Sequence, residues 1–469
     1  MDDHTRQEIN LLSRLNRLPV TRTIVTTAVL LILVWVIEAF DVGIVNSLLL
    51  ILSDVMSLTA SQNGMLGAAA ALGVVIGLIP SGRLADRYGR KKVAVYGVAW
   101  FCLFTLLTPI ISEFWWVVAM RFLTGLGQGA VFPIPYLMLS EFIRPNRRAV
   151  AVGYQNGLLL AAYVFPGLVG SWSIATFAPE IAWRVPFLIG GIPIVFAVVL
   201  AIWLPESPRW LLNQGRFSEV RRMVEKLENE AGIEHDEQFT DPREVSVLSD
   251  AHTETVRETI GRLSLALKPP YLQRGLISWA TFISANMLFY VILVYFPTLF
   301  VERGVSGANA ILVVGIMSLI SGIGSIVAGY GADKYGRKPL IFIYAVLSAI
   351  GVVLISYVPL SGLYIAGLLA AFFGLAANSM TKIYIAEQYP TSIRGVGTAT
   401  GEAVARLGGS VLAVYYVALI LDLGGLSSVV WTVGIAAVAL VVPMFIWGRE
   451  TKGLTIEEAG AALEEDVRV

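Results

Sequence analysis

Twelve long apolar runs follow one another along this chain, divided mostly by short polar turns. They fall near residues 24–52, 61–81, 93–112, 114–137, 149–172, 183–204, 271–301, 307–330, 339–358, 361–385, 394–421 and 427–447. A run of about 20 apolar residues is what a helix needs to cross the hydrocarbon layer of a bilayer. Strands of a membrane barrel would be about half as long and would alternate apolar with polar positions. The pattern therefore predicts an all-α membrane protein with 12 transmembrane helices.

Charge gives the helices an orientation. Lys and Arg crowd the N-terminus (Arg14, Arg17, Arg22), the stretch "GRLADRYGRKK" at 82–92, the turn "RPNRR" at 144–148, the long segment 205–270, "DKYGRK" and Arg394. The alternate turns carry few, Arg184 and Arg303 being the exceptions. The positive-inside rule places both termini and the middle segment in the cytoplasm, which needs an even number of spans. The organisation expected is a cytoplasmic N-terminal segment 1–23, a six-helix bundle 24–204, a cytoplasmic linker 205–270, a second bundle 271–447 and a cytoplasmic tail 448–469. Only 14% of residues are charged against 56% hydrophobic, as befits an integral membrane protein. A polar start leading into a long apolar run and further spans argues against a cleaved signal. The single cysteine, Cys102, excludes a disulfide within the chain, and His4, His235 and His252 all fall outside the spans. Any proton relay inside the membrane must therefore use carboxylates.

The basic stretch, expected to form a loop between spans, occurs twice, the second time as "GADKYGRKP" at 331–339. "SEFIRPNRR" is echoed by "AEQYPTSIRG", and "PESPRWL" by "GRETKG", at offsets of 249, 246 and 244 positions for Gly82, Glu141 and Glu206. A nearly constant period covering six spans marks two parallel repeats. With these motifs in this order, together with "RFLTGLGQGA" at 121–130, the chain resembles the major facilitator superfamily over nearly its full length. That resemblance implies two six-helix bundles, transport by alternating access, a monomer in the cell (inner) membrane, and no cofactor or nucleic-acid partner. "PESPRWLL" and "RETKG" are similar to the sugar, organic-ion and synaptic-vesicle-protein-like branches. "WATFISANMLFYVILVYFPTLF" in span seven lacks the glutamine-rich pattern of sugar porters. "RLNRLPVTRT", "VIEAFDVGIVNSLL" and "NGMLGAAAALGVVIG" resemble bacterial niacin transporters and related metabolite–proton symporters. The implied substrate is nicotinate with a proton, with a 4-hydroxybenzoate-like aromatic acid next and a sugar or organic ion after it.

In the repeated motif, Gly82 and Gly89 would permit tight backbone geometry, and Arg87 and Arg90 would hold it at the cytoplasmic surface. Asp86 is superfluous for topology. The family resemblance implies a latch between halves, with Asp86 meeting a helix N-terminus, Asp333 and Arg337 as the weaker copy, and Glu141, Glu387 and Arg121 as associated gating positions.

Charges within the spans are costly and point to function. Glu38 and Asp41 are three apart in span one, and Glu402 and Arg406 four apart in span eleven, so each pair should share a helix face. Asn378 and Lys382 in span ten, and Asn286 and Tyr290 in span seven, show the same spacing. Gln128 follows Arg121 with Gly125, Gly127 and Gly129 around it, and span five contributes Asn156. A carboxylate ligand needs a cation with two parallel donors and an apolar or aromatic wall for its ring. Arg406 suits the anion, unless it serves only as a structural partner of Glu402. Lys382 is the rival, although it could instead snorkel to the interface. Asn286 and Tyr290 suit the ring and its nitrogen. Asp41 is the first choice for the proton and Glu38 the second; Glu402 is less suited while Arg406 holds it ionised. No HExxH, phosphate-binding glycine motif or intramembrane histidine supports an enzyme. A nutrient sensor that moves no solute stays open as a different class.

Overall fold

The computed structural model describes residues 3–142, 157–235, 264–265, 267–269, 271–389 and 393–452. Among these residues the regular structure is helical throughout. Eleven helices are long and apolar enough to cross a membrane: Arg22–Met56, Ala60–Tyr88, Arg90–Ile110, Phe114–Leu139, Gly157–Thr176, Pro179–Trp203, Tyr271–Glu302, Gly307–Ala332, Arg337–Leu354, Leu360–Glu387 and Gly395–Trp447. The last, of 53 residues, carries two spans. It breaks at Gly425, whose φ of 67° and ψ of −171° leave the helical region. The twelve runs thus become twelve membrane-crossing segments, numbered below in chain order.

The basic stretch forms no loop. Span two continues to Tyr88, Gly89 is the only break, and span three starts at Arg90. Gly89 sits at φ 96°, a backbone state that costs an L-residue energy. A Cβ there would also collide with Glu206. The Glu206 carboxylate accepts the Lys91 N–H at 3.0 Å, placing negative charge on the exposed start of span three. The second half repeats the corner at Gly336, φ 104°, where Glu450 accepts the Arg337 and Lys338 N–H groups at 2.9 and 3.0 Å. Gly82, by contrast, lies inside the helix, where a Cβ would meet nothing within 4 Å, so it does not serve the turn. The membrane face bearing these corners is called the basic face below.

Within the first half, spans two and four pack closely because a Cβ on Gly125 or Gly129 would strike the backbone of Ala70 or Val74. Gly127 instead faces Trp100 and Phe101 of span three. Between halves, span five lies along span eight, with Gly167 against Gly315 and Gly157 against Gly322. Span two meets span eleven near the opposite face, where the Ser61 and Tyr415 hydroxyls are 3.1 Å apart and Gly64 abuts Tyr415. Spans one and seven also touch. The cavity described below lies between these contacts.

Outside the membrane, the helix Asp3–Arg17 packs against Phe217–Ala231 of the linker. Glu228, fully buried, accepts from Arg14 Nε and Nη2 at 3.0 and 2.6 Å and from Arg17 Nη2 at 2.9 Å, with His235 Nδ1 at 2.7 Å. Burial would raise this carboxyl, but the bonds from Arg14, His235 and Arg17 outweigh it and hold the group at about 2. A depressed carboxyl stabilises the fold above its unfolded value and ceases to do so as pH falls through its folded value. Protection of residues 3–17 in hydrogen exchange, corrected for intrinsic rates, should thus fall as pH drops from 4.5 toward about 2. Glu228→Gln should weaken this protection on the order of tenfold at neutral pH and flatten its acid dependence. Unchanged protection in the variant would show that the apolar contacts alone hold the helix.

Candidate functional site

A cavity lies between the halves, midway along the spans. Its polar lining comes from Glu38 and Asn46 of span one, Asn286 and Tyr290 of span seven, Asn378 and Lys382 of span ten, and Glu402 and Arg406 of span eleven. Arg121 and Gln128 also reach its wall. Span eleven turns into a π-helical stretch at Arg406–Leu412, just where Arg406 projects. Such wide turns are common at functional sites. Gly409 in this stretch has no room for a Cβ against Asn286 and Ile283, so spans seven and eleven approach closely and Arg406 comes beside Tyr290.

Arg406 Nε donates to Glu402 Oε1 at 2.9 Å, the pair that the four-residue spacing predicts. Its Nη1 lies 3.5 Å from the Tyr290 hydroxyl. The guanidinium face lies over the Phe132 ring, Cζ to centroid 4.3 Å, and Lys382 Nζ is 5.5 Å from the same centroid. On the outer guanidinium edge, Nη2 has no partner among the described residues and Nη1 has only the long contact to Tyr290. Aromatic side chains complete the walls. Tyr163 meets Phe289 edge to face at 5.8 Å, and Phe289 meets Tyr290 at 5.2 Å.

Asp41 does not share the cavity with Glu38. Arg121 donates to both its carboxylate oxygens, at 3.0 and 2.7 Å, Gln128 Nε2 donates at 2.7 Å, and Thr105 Oγ1 donates as well. Asp41 and Arg121 are both fully buried. Three residues along a helix turn about 300°, so neighbours at this spacing diverge by about 60°. That divergence suffices to aim Asp41 at spans three and four while Glu38 faces the cavity. Glu38 Oε2 is buried without a hydrogen-bond partner among the described residues, as are Asn46 Nδ2 and Gln128 Oε1. Polar atoms left open in a buried cavity are what a polar ligand or water would satisfy.

Arg121 thus lies in the membrane interior bonded to Asp41, away from the basic corners that carry the other gating positions. Gln128 spends its amide nitrogen on the same pair. Asn286 Nδ2 donates to its own helix at Phe282 O, 3.2 Å, and leaves its carbonyl oxygen to the cavity. Asn156 lies outside the described residues. The remaining gating positions form two matching clusters on the basic face, away from the cavity. Arg90 pairs with Glu141 and donates to Ser207 Oγ at 3.2 Å, and Ser207 donates to Glu141. Arg337 lies 3.5 Å from Glu387, which accepts from Thr451. The Asp86 carbonyl accepts from Trp210 Nε1 at 2.7 Å, and Arg87 lies over the Tyr88 ring. Asp333 occupies the corresponding turn of span eight. Each of these contacts stays within one half, and the one given for Asp86 is made by its backbone rather than by the carboxylate of the expected latch.

Sequence reading missed Phe132, Asn46, Tyr163, Phe289 and Thr105. Asn46 had a signal, being an amide side chain inside span one about two helical turns beyond Glu38. Phe132 had one too, because Pro133 interrupts span four there, between the helices Phe114–Val131 and Ile134–Phe142.

Two halves of six spans, matched basic corners and a central polar cavity describe a transporter architecture. The family model of the Major Facilitator Superfamily matches residues 31–332 and 301–465. The chain belongs to the major facilitator superfamily. It is 27% identical over 454 residues to the niacin transporter NiaP of Acinetobacter baylyi, a match covering 96% of this chain and 100% of that protein. The 4-hydroxybenzoate transporter PcaK of the same organism is 25% identical over 417 residues, 86% of each chain. In three dimensions the fold is similar to the xylose transporter XylE from E. coli in a partially occluded inward open conformation, with TM-score 0.71 and 18% identity over 92% of this chain and 99% of that one. At that identity the likeness concerns the fold alone. Membership makes this facilitator-type protein a multi-pass membrane transporter of a small molecule, and not an enzyme.

Proposed function

We propose that the protein imports a small aromatic carboxylate, nicotinate first, together with a proton, across a membrane whose basic face is cytoplasmic. The observation that carries this reading is the outer edge of the Arg406 guanidinium, open to a cavity walled by Phe132, Tyr163, Phe289 and Tyr290. A guanidinium edge binds a carboxylate through two parallel bonds, and aromatic walls suit the ring behind it. Asn286, Asn378 and Asn46 offer partners for a ring nitrogen or hydroxyl. The similarity to NiaP supports nicotinate, and that to PcaK supports 4-hydroxybenzoate as the second reading.

An anion entering against a negative-inside potential moves uphill, and one accompanying proton makes the step electroneutral. Glu38 is the proton carrier in this scheme, since protonating it breaks no ion pair, whereas Asp41 and Glu402 each face an arginine at hydrogen-bonding distance. The halves rock about the cavity, opening it to one face at a time.

The test is uptake of labelled nicotinate into proteoliposomes, with and without an acid-outside gradient. Concentrative uptake that nicotinate and 4-hydroxybenzoate inhibit, but nicotinamide and glucose do not, is the expected result. Inhibition by nicotinamide equal to that by nicotinate would remove the carboxylate from recognition. Specific ligand binding with no uptake of any of these compounds would favour a sensor.

A further inference from the structure

Two different kinds of contact join the halves around the cavity. Toward the opposite face, spans two and eleven meet by direct packing, with Gly64 against Tyr415 and Gly67 against Val414. Toward the basic face, the side chain that the first half sets against the cavity's cations is Phe132. Its ring lies over Arg406 at 4.3 Å and near Lys382 at 5.5 Å, both from the second half. Within its own half Trp35 stacks on it at 6.1 Å and donates Nε1 to the Phe132 carbonyl at 3.2 Å. Pro133 follows directly, between the two helical parts of span four. That carbonyl therefore sits at the helix break and is anchored by a side chain of its own half.

A ring placed between an anchor in one half and two cations in the other is a contact whose strength depends on the charge it faces. An unliganded cavity presents Arg406 and Lys382, with Glu402 bonded to the first at 2.9 Å and Glu38 on the facing wall. A carboxylate bound at the guanidinium edge adds a negative charge beside both cations and lowers the positive field at the ring. We propose that Phe132 closes the cavity on its basic face by cation–π contact with Arg406 and Lys382, and that a carboxylate bound to Arg406 loosens this closure. The second part rests on the aromatic-carboxylate reading; the first does not. The consequence is directional. An empty carrier keeps its basic face shut and is biased to return, while a loaded one opens there.

The experiment uses the full-length protein with Ser379→Cys as reporter, a cavity-lining position, against the native background in which the single cysteine, Cys102, is buried. A membrane-impermeant charged maleimide is added to the basic face of sealed vesicles. Phe132→Leu, which keeps the bulk and removes the π face, should label about fivefold faster or more, and Phe132→Tyr should restore the wild-type rate. Nicotinate should speed labelling of the Phe132 protein and leave F132L unaffected. In protein without the reporter, F132L should lose net uptake while retaining exchange of labelled for unlabelled nicotinate; F132M asks the same question should F132L not reach the membrane. Equal labelling of F132L, F132Y and the Phe132 protein would overturn the closure. Faster labelling of F132L with no nicotinate response in any variant upholds the closure and overturns nicotinate as the ligand that loosens it.

Discussion

Replacing Arg406 with alanine should remove binding of nicotinate, the proposed substrate: affinity in equilibrium titration of purified protein should fall about 100-fold or more. Truncating one partner of a buried, hydrogen-bonded charge pair costs about 2–5 kcal/mol in other complexes. Here the substitution removes both the anion's donors and the partner of Glu402, which accepts from Arg406 at 2.9 Å. Glu402 would then stand beside the cavity with an uncompensated charge, adding its own repulsion to a carboxylate ligand. Arg406→Lys separates charge from geometry. It keeps the cation but loses the planar fork and its stacking on Phe132, so its affinity should fall between those of the two proteins, about tenfold below the native one. A second control is Glu402→Gln, which leaves the cation without its bonded acid and should not weaken the anion. Retained affinity in Arg406→Ala, with the protein folded, would move the carboxylate to Lys382.

Local spacing carried much of this architecture. Apolar runs located the twelve spans, the repeated motif located the two halves, and the four-residue interval between Glu402 and Arg406 announced a bonded pair. Helical periodicity states which face a residue occupies, but not which helix that face meets. Asp41 and Arg121 are 80 positions apart on different helices, and nothing in either helix's own pattern names the other. The same limit applies to Phe132, whose cationic partners belong to the opposite half. The basic corners misled for a different reason. A run of charged residues between apolar ones suggests a loop, yet a helix can continue past the apolar layer until a residue with positive φ stops it, as Gly89 and Gly336 do. The pseudo-symmetric acids Glu206 and Glu450 were visible as a repeat, while their bonds to the exposed starts of spans three and nine required the fold.

Glu38→Gln should abolish concentrative uptake while leaving exchange of labelled for unlabelled nicotinate. An electroneutral one-proton symporter can accumulate its anion about tenfold per unit of pH difference, because each unit supplies about 1.4 kcal/mol. A glutamine has the shape of the protonated acid and carries nothing across, so the driving gradient disappears and the loaded carrier still moves. Uptake by the native protein should rise as the outer side is acidified; in the variant it should be flat. Asp41→Asn behaves differently in this scheme. It leaves Arg121 buried without its counter-charge, and removing one member of such a pair costs about 3–5 kcal/mol of stability, so the protein itself should suffer first. Thermal denaturation in detergent distinguishes the two, with Glu38→Gln near the native protein and Asp41→Asn well below it. If Glu38→Gln still accumulates nicotinate against its gradient, the proton travels through the Asp41–Arg121 or the Glu402–Arg406 pair, and the coupling step is the breaking of an ion pair rather than the titration of an open carboxyl.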